Sequence, residues 1–176
     1  PGAGDAARQQ FAEGRPYLFS IGAGLERKNT GRLLQAFGLL RQQRPDLPHL
    51  LLVSGLGSHI PRFMERAAAA GCAEHVRFLP YVDRNQLIAL YAGAALSIYP
   101  SLVEGWGIPV VESLALGTPV ATSNSTAMPE AGGEHARYFD PESVESMADA
   151  IGTSIDHLPA FAQVRADAIA RARTFT

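Results

Sequence analysis

Short apolar runs alternate with longer helical patterns along this chain, and the alternation restricts the fold more than any other feature. Six runs have the character of strands, at 17–22, 50–54, 75–79, 94–99, 119–123 and 136–139. Most of them are continuously apolar, which is typical of parallel strands that are buried on both faces. Because helical patterns separate the strands, the connections are expected to be crossovers. The sequence therefore predicts an α/β fold, a Rossmann-like parallel sheet with helices on both faces.

Amphipathic patterns between the strands predict the helices. Asn29 or Thr30 can cap a helix through Arg41, since its leucine and phenylalanine side chains share one face. Further helices are predicted at 60–70, from Asp83 through Tyr91, from the loop after the fourth strand to Leu116, and at 142–157 and 160–173. Residues 1–15 are small, polar or charged, and we interpret them as a linker or lead-in to one domain covering 16–176.

The composition argues against several classes of protein. The chain has 176 residues, 47% of them hydrophobic, which suffices for one domain with a substantial core. A formal net charge of −2 gives no support for a nucleic-acid partner. Cys72 is the single cysteine, so no intrachain disulfide is available and a reducing cytoplasm is the simpler location. No apolar run reaches the ~18 residues of a membrane span. No Cys/His cluster has metal-ligand spacing, and we expect neither a metal nor another cofactor.

The stretch Ser101–Glu112 is the strongest functional signal. It places two glycines between a buried strand and a helix, and Pro109 suits the first helical turn because proline has no N–H to leave unpaired. Free N–H groups and the positive end of the helix dipole favour an anion such as phosphate. Glu104 and Glu112 flank this helix end and can accept hydrogen bonds from neutral hydroxyls. A sugar phosphate offers both kinds of group.

A basic pair lies on another loop of the same predicted edge. Arg27 and Lys28 follow the first strand, whereas 100–107 follows the fourth, and ligands of open parallel sheets bind where the strands end. The loops 80–83 and 123–129 open on the same side. Arginine can hold a phosphate bidentately and lysine adds a mobile charge. Alternatively, Arg27 and Lys28 are a solvated pair on the surface. In the same way, Glu104 and Glu112 could be ordinary surface acids.

Several of these segments together resemble one family, the retaining glycosyltransferases of family 4, also called glycosyltransferases group 1. The matching segments are 21–29, 78–82, 100–112, 117–120 and 129–130. The most specific element is Glu104 and Glu112 within Glu-Gly-Trp-Gly-Ile-Pro. The family has the GT-B fold of two Rossmann-like domains, and the order of the segments is similar to that of the carboxyl-terminal, nucleotide-sugar-binding domain. The resemblance implies a preceding acceptor-binding domain, which this sequence lacks.

The resemblance also implies roles for individual residues. Arg27 and Lys28 match the basic pair that neutralises the departing diphosphate. Glu104 matches the acid that contacts the donor sugar, and Glu112 matches the acid that binds the ribose hydroxyls. Tyr81 and Val82 lie near the base in the implied donor site. Its other positions are Gly22 and the backbone of Gly105, Trp106, Gly107 and Ile108. The family usually has Phe or Tyr where this chain has Trp106.

The implied activity is transfer of a hexose to a glycan or glycolipid. The Arg-Lys-Asn version of the basic motif resembles that of bacterial mannosyltransferase-like members, which favours GDP-mannose, with a UDP-sugar as the alternative. The nucleotide sugar is then a substrate and no metal is needed. Other implied partners are the missing amino-terminal domain and, for the longer protein, peripheral contact with the inner face of the membrane. This fragment alone is expected to be inactive. Two other functions compete with this one. The first is a non-catalytic module that binds a nucleotide sugar, and the second is a glycosidase that uses Glu104 and Glu112.

Overall fold

The strands form one parallel sheet. The computed structural model describes residues 2–22 and 24–175, except for the side chains of residues 163 and 164. Within them the strands are β1 (Tyr17–Ile21), β2 (Leu50–Ser54), β3 (Val76–Phe78), β4 (Leu96–Tyr99), β5 (Val120–Ser123) and β6 (Ala136–Phe139). Their order is β3-β2-β1-β4-β5-β6, and every neighbouring pair is parallel. The predicted Rossmann-like α/β sheet is confirmed.

The strand order reverses between β1 and β4, which are neighbours in the middle of the sheet. β1 is followed by a crossover to β2 on one side, whereas β4 begins the half of the sheet that continues on the other side. The loops that leave β1 and β4 therefore start side by side, at the carboxyl ends of two neighbouring strands. Ligands of such sheets bind at this switch point.

Helices cover both faces of the sheet. They are α1 (Ala3–Ala12), α2 (Thr30–Gln43), α3 (Ile60–Ala69), α4 (Arg84–Gly93), α5 (Ile108–Ala115), α6 (Met128–Gly132), α7 (Val144–Asp156) and α8 (Leu158–Ala172). One core cluster lies between the sheet and α2, α3 and α7, and the other lies under α1, α4, α5, α6 and α8. Consecutive β1 residues point to opposite clusters, Leu18 to the first and Phe19 to the second. The continuous apolar character of the strands follows from this two-sided burial.

The interpretation of 1–15 as a lead-in is wrong, because α1 is packed against α4. Ala7 and Ala12 are buried, and a Cβ added to Gly4 would lie 2.8 Å from the backbone oxygen of Ala92. The small residues that suggested a linker are those that let two helix backbones approach closely. Residues 3–12 are therefore part of the folded domain.

The other helix predictions are confirmed within a few residues. Asp83 caps α4 as expected: its Oδ1 accepts from the Gln86 N–H at 2.9 Å, and Gln86 Oε1 accepts from the Asp83 N–H at 3.0 Å. The short helix α6 replaces part of the polar loop expected at 123–129. No helix among the described residues combines the length and apolar character needed to cross a membrane.

Candidate functional site

The basic loop after β1 meets the glycine-rich loop after β4. Lys28 Nζ lies 2.6 Å from Glu104 Oε1, and Arg27 Nη1 lies 3.3 Å from Glu104 Oε2. A backbone hydrogen bond from Leu102 N–H to the carbonyl of Arg27 joins the same two loops at 2.8 Å. Arg27 and Lys28, predicted on one loop, are thus in direct contact with Glu104, predicted on another, at the switch point of the sheet.

Glu104 remains a carboxylate in this setting. Partial burial raises the pKa of Glu104, but hydrogen bonds from Lys28 and Ser101 and the charges of Lys28 and Arg27 outweigh burial and hold it below its usual range. The side chain of Lys28 is 17% exposed, whereas that of Arg27 is 49% exposed. Arg27 is therefore the more exposed cation of the pair, and an incoming anion can reach its guanidinium.

Asn29 holds the basic loop in place, but it does not cap α2 through its side chain as predicted. Its φ is +57°, in the left-handed region, whereas a capping side chain needs an extended backbone. Nδ2 instead donates to the carbonyl oxygens of Pro100 at 3.0 Å and Pro141 at 2.7 Å, and Oδ1 accepts from Arg32 at 3.0 Å. One buried amide therefore ties together the loops that follow β1, β4 and β6.

The start of α5 comes directly after the loop that carries Glu104. Gly107 precedes the helix with a φ of +67°, and a Cβ added there would lie 2.8 Å from the Cβ of Ala131 on α6. Glycine is therefore required by both the backbone angle and the close packing. Pro109 is the second helical residue, where an N–H has no intrahelical acceptor. Trp106 and Ile108 are 72% and 60% exposed, so this helix end is accessible to a ligand.

The polar loop after β5 also reaches the site. The hydroxyl of Thr126 accepts a hydrogen bond from the Glu104 backbone N–H at 3.0 Å. The loop was predicted to lie on this edge of the sheet, and the contact confirms its position there. Any contact between this loop and a polar ligand stays a prediction.

A cavity of about 470 Å³ lies between α4, α5 and the loop before α4. Tyr81, Val82 and Glu112 all line it, and these are the residues that the family resemblance assigned to base and ribose. Tyr91, an apolar-face residue in the sequence, lines it too, and its hydroxyl donates to Glu112 Oε2 at 3.2 Å. The sequence did not suggest this contact, although a buried tyrosine hydroxyl usually needs a partner.

Gly22 is explained by packing within the fold. It is buried, its N–H donates to the Ser54 carbonyl at 2.8 Å, and an added Cβ would lie 2.7 Å from Leu56 Cδ2. Its assignment to the donor site stays a prediction. Among the described residues, no three or more His, Cys, Asp or Glu side chains are grouped so as to hold a metal ion.

The whole site can thus accommodate an elongated ligand with unlike ends. The segment from Glu104 to Glu112 meets the two cations at one end and the cavity at the other, with the accessible start of α5 between them. Cations and helix N–H groups suit phosphate. The carboxylate at the cavity suits hydroxyl groups, and exposed Tyr81 offers a flat apolar surface.

The sequence is similar to that of several curated bacterial transferases. It is 35% identical over 133 residues to O-antigen chain mannosyltransferase B of Escherichia coli, covering 75% of this chain and 35% of that protein. It is 30% identical over 150 residues to O-antigen chain mannosyltransferase RfbU of Salmonella typhimurium, covering 85% and 41%. It is also 32% identical over 171 residues to glycogen synthase of Mycobacterium tuberculosis, covering 93% and 41%. The chain thus spans well under half of each of these relatives.

Solved structures share the fold. WaaG, a glycosyltransferase involved in lipopolysaccharide biosynthesis, superposes with a TM-score of 0.81 at 23% identity, over 99% of this chain and 47% of that chain. The catalytic domain of cholesterol-α-glucosyltransferase from Helicobacter pylori superposes with a TM-score of 0.77 at 20% identity, over 92% of this chain and 99% of that chain. The fold is that of a GT-B glycosyltransferase domain. The sequence profile described as glycosyl transferases group 1 matches residues 5–173, and the chain belongs to that family.

Proposed function

We propose that this chain is the donor-binding domain of a retaining glycosyltransferase that transfers mannose from GDP-mannose to a glycan or glycolipid. One observation carries the proposal: a single segment contacts the Arg27–Lys28 pair through Glu104 and lines the adjoining cavity through Glu112. That arrangement matches a nucleoside diphosphate joined to a sugar. The relatives named as mannosyltransferases support the choice of sugar.

In this proposal the diphosphate binds between the basic pair and the start of α5. Arg27 and Lys28 offset the charge that develops on the departing diphosphate, and the helix N–H groups add to this stabilisation. Preorganised protein cations can do this without a metal ion. Glu104, kept ionised beside them, accepts hydrogen bonds from the sugar hydroxyls and orients the sugar.

The nucleoside occupies the cavity between α4 and α5. Glu112 accepts hydrogen bonds from the ribose hydroxyls, while Tyr81 and Val82 flank the base. Tyr81 is 89% exposed, so a base stacked on its ring would shield apolar surface from water. Backbone atoms from Gly105 through Ile108 contact the sugar and phosphates.

Transfer requires more than the donor site. The chain corresponds to 35% of O-antigen chain mannosyltransferase B, and an acceptor-binding domain in the same protein would complete the cleft. Closure of two domains aligns the attacking hydroxyl and excludes water. We therefore expect the isolated chain to bind donor without transferring sugar. We also propose that the longer protein works in the cytoplasm, in peripheral contact with the inner face of the membrane.

Two alternatives remain for the same residues. The glycogen synthase among the relatives is not named as a mannosyltransferase, so a UDP-sugar is the alternative donor. A non-catalytic module would bind the same ligands, and sugar transfer by the longer protein separates it from the enzyme. A glycosidase fits poorly, because hydrolysis of a plain glycoside involves no phosphate for the Arg27–Lys28 pair to bind, and this pair holds the pKa of Glu104 low.

Calorimetric titration of the chain with GDP, UDP, ADP and their sugar conjugates tests the proposal. We expect GDP and GDP-mannose to bind most tightly, and the Arg27→Ala, Lys28→Ala double variant to weaken diphosphate binding by about 2–4 kcal/mol. A matched double variant, Arg8→Ala with Arg137→Ala, removes the same charge from α1 and β6 and should bind normally. Equal losses in both variants, or failure of every nucleotide to bind, would refute the assignment.

A further inference from the structure

We propose that Tyr91 is a positioning residue that orients Glu112 toward the ribose of the nucleotide. The inference rests on the proposed function and adds a residue that acts through another side chain. Tyr91 is 1% exposed, whereas Glu112 lies at the surface on the wall of the cavity. The Tyr91 hydroxyl reaches this exposed carboxylate from the buried core, with Tyr91 Oη 3.2 Å from Glu112 Oε2.

The Tyr91 ring is held firmly from several sides. It packs edge-on against Phe19 of β1, with ring centroids 5.3 Å apart and planes at 81°. The backbone carbonyl of Tyr91 accepts a hydrogen bond from the Thr118 hydroxyl at 2.7 Å. Because both the ring and its backbone are anchored in the core, the hydroxyl occupies a defined position relative to α5.

The direction of the hydrogen bond is fixed by chemistry. Burial, followed by the influence of Tyr99 and Glu112, raises the pKa of the Tyr91 phenol, so the hydroxyl keeps its proton in any ordinary buffer. A protonated phenol facing a carboxylate donates to it. The phenol therefore donates to Oε2 of Glu112, and the second carboxylate oxygen can accept a hydrogen bond from a ligand.

This contact reduces the freedom of Glu112 before a ligand arrives. An exposed glutamate samples several rotamers, and holding it in one of them on binding costs free energy. A fixed phenol selects one arrangement in advance, so less is lost when the ribose diol binds. The expected consequence is a stronger preference for ribonucleotides over their 2′-deoxy analogues.

The effect should have the size of one hydrogen bond. Tyr91→Phe keeps the ring and its contact with Phe19 while removing the hydroxyl. We expect the affinity ratio of GDP to 2′-deoxy-GDP to fall about three- to tenfold, the equivalent of a single hydrogen bond. Tyr17→Phe is the matched control, because its buried hydroxyl donates to the Leu90 carbonyl at 2.7 Å instead of to a carboxylate.

A double-mutant cycle tests whether Tyr91 acts through Glu112. The affinity ratio is measured by titration calorimetry for the wild-type chain, Tyr91→Phe, Glu112→Ala and the double variant. If Tyr91 positions Glu112, the ratio in the double variant equals that in Glu112→Ala, because residue 112 then has no side-chain oxygen for the phenol to orient. Tyr17→Phe should leave the ratio unchanged even if it lowers the melting temperature.

The failures are distinguishable. If Glu112→Ala removes the ribose preference and Tyr91→Phe leaves it intact, the positioning role is wrong and the donor site stands. If the two effects add independently, Tyr91 does not act through Glu112. If the wild-type chain binds none of the nucleotides, the proposed function fails and this inference fails with it. Glu112→Asp, which shortens the side chain with Tyr91 intact, gives a second check and should also lower the ratio.

Discussion

The amide of Asn29 offers the sharpest test of how the site is held together. Asn29→Ala removes two donated hydrogen bonds, to the carbonyls of Pro100 at 3.0 Å and Pro141 at 2.7 Å. Each contributes about 1 kcal/mol, with a further cost for buried carbonyls left unpaired. Alanine at a φ of +57° adds about 1 kcal/mol, since asparagine tolerates this region better. The free energy of unfolding should therefore fall by about 3–4 kcal/mol.

Asn29→Gly separates the hydrogen bonds from the backbone angle. Glycine loses the same bonds but adopts a positive φ freely, so we expect a smaller loss of about 2–3 kcal/mol. Urea unfolding at pH 7, followed by far-ultraviolet circular dichroism, measures both variants. Because the basic loop loses its anchor, diphosphate binding should weaken in both as well. A loss below 1 kcal/mol for Asn29→Ala, or a glycine variant less stable than the alanine variant, would refute this account of the loop.

Three further perturbations have defined outcomes. Gly107→Ala should destabilise the chain by about 1–3 kcal/mol in urea unfolding and weaken diphosphate binding, because its φ is +67° and a Cβ would meet α6 at 2.8 Å. Gly105→Ala, whose added Cβ meets nothing within 4 Å, is the control for stability, and an equal loss in urea unfolding would contradict the packing argument. The pKa of Glu104 is depressed in the folded state, so its pairing with the two cations stabilises the chain at a pH above the usual carboxyl pKa of about 4.3. This stabilisation is lost as the pH falls through the depressed pKa. Unfolding between pH 2 and 7 should therefore show a shallower acid branch for Glu104→Gln than for wild type, and parallel branches would count against the ion pairs. Gly4→Ala should lower the melting temperature, because its Cβ would lie 2.8 Å from the backbone of α4. Gly2→Ala is the control and should not lower it, because the nearest neighbour of its Cβ is 3.9 Å away. An unchanged melting temperature in Gly4→Ala would show that α1 is loosely held.

The sheet could be predicted from the sequence because its signal is local. Each strand is a short apolar run, and two-sided burial removes the polar alternation that would mark an exposed face. α1 was missed because its stabilising contact is distant. Gly4 meets the backbone of α4, and small residues mark a close helix contact and a linker equally well. The short helix α6 gave too few residues for a periodic pattern.

The sequence predicted that the candidate residues lie on one edge of the sheet, but not which of them make contact. Arg27, Lys28 and Glu104 were assigned to one edge of the sheet because parallel strands end there together. Their ion pairing depends on how two loops pack, which no spacing in the sequence records. The same holds for Tyr91, whose hydroxyl meets Glu112 across two helices, and for Asn29, whose partners lie 71 and 112 residues away.

The exposed position of Trp106 gives the chain an intrinsic fluorescence probe. It is the single tryptophan of the chain, so its emission arises from one place, the loop that leads into α5. At 72% exposure the indole should emit at the red wavelengths typical of a hydrated ring. Any molecule that covers this loop displaces water from the indole and shifts the emission toward the blue. Binding of a ligand to this loop can thus be followed continuously in solution, without a label and without a coupled enzyme.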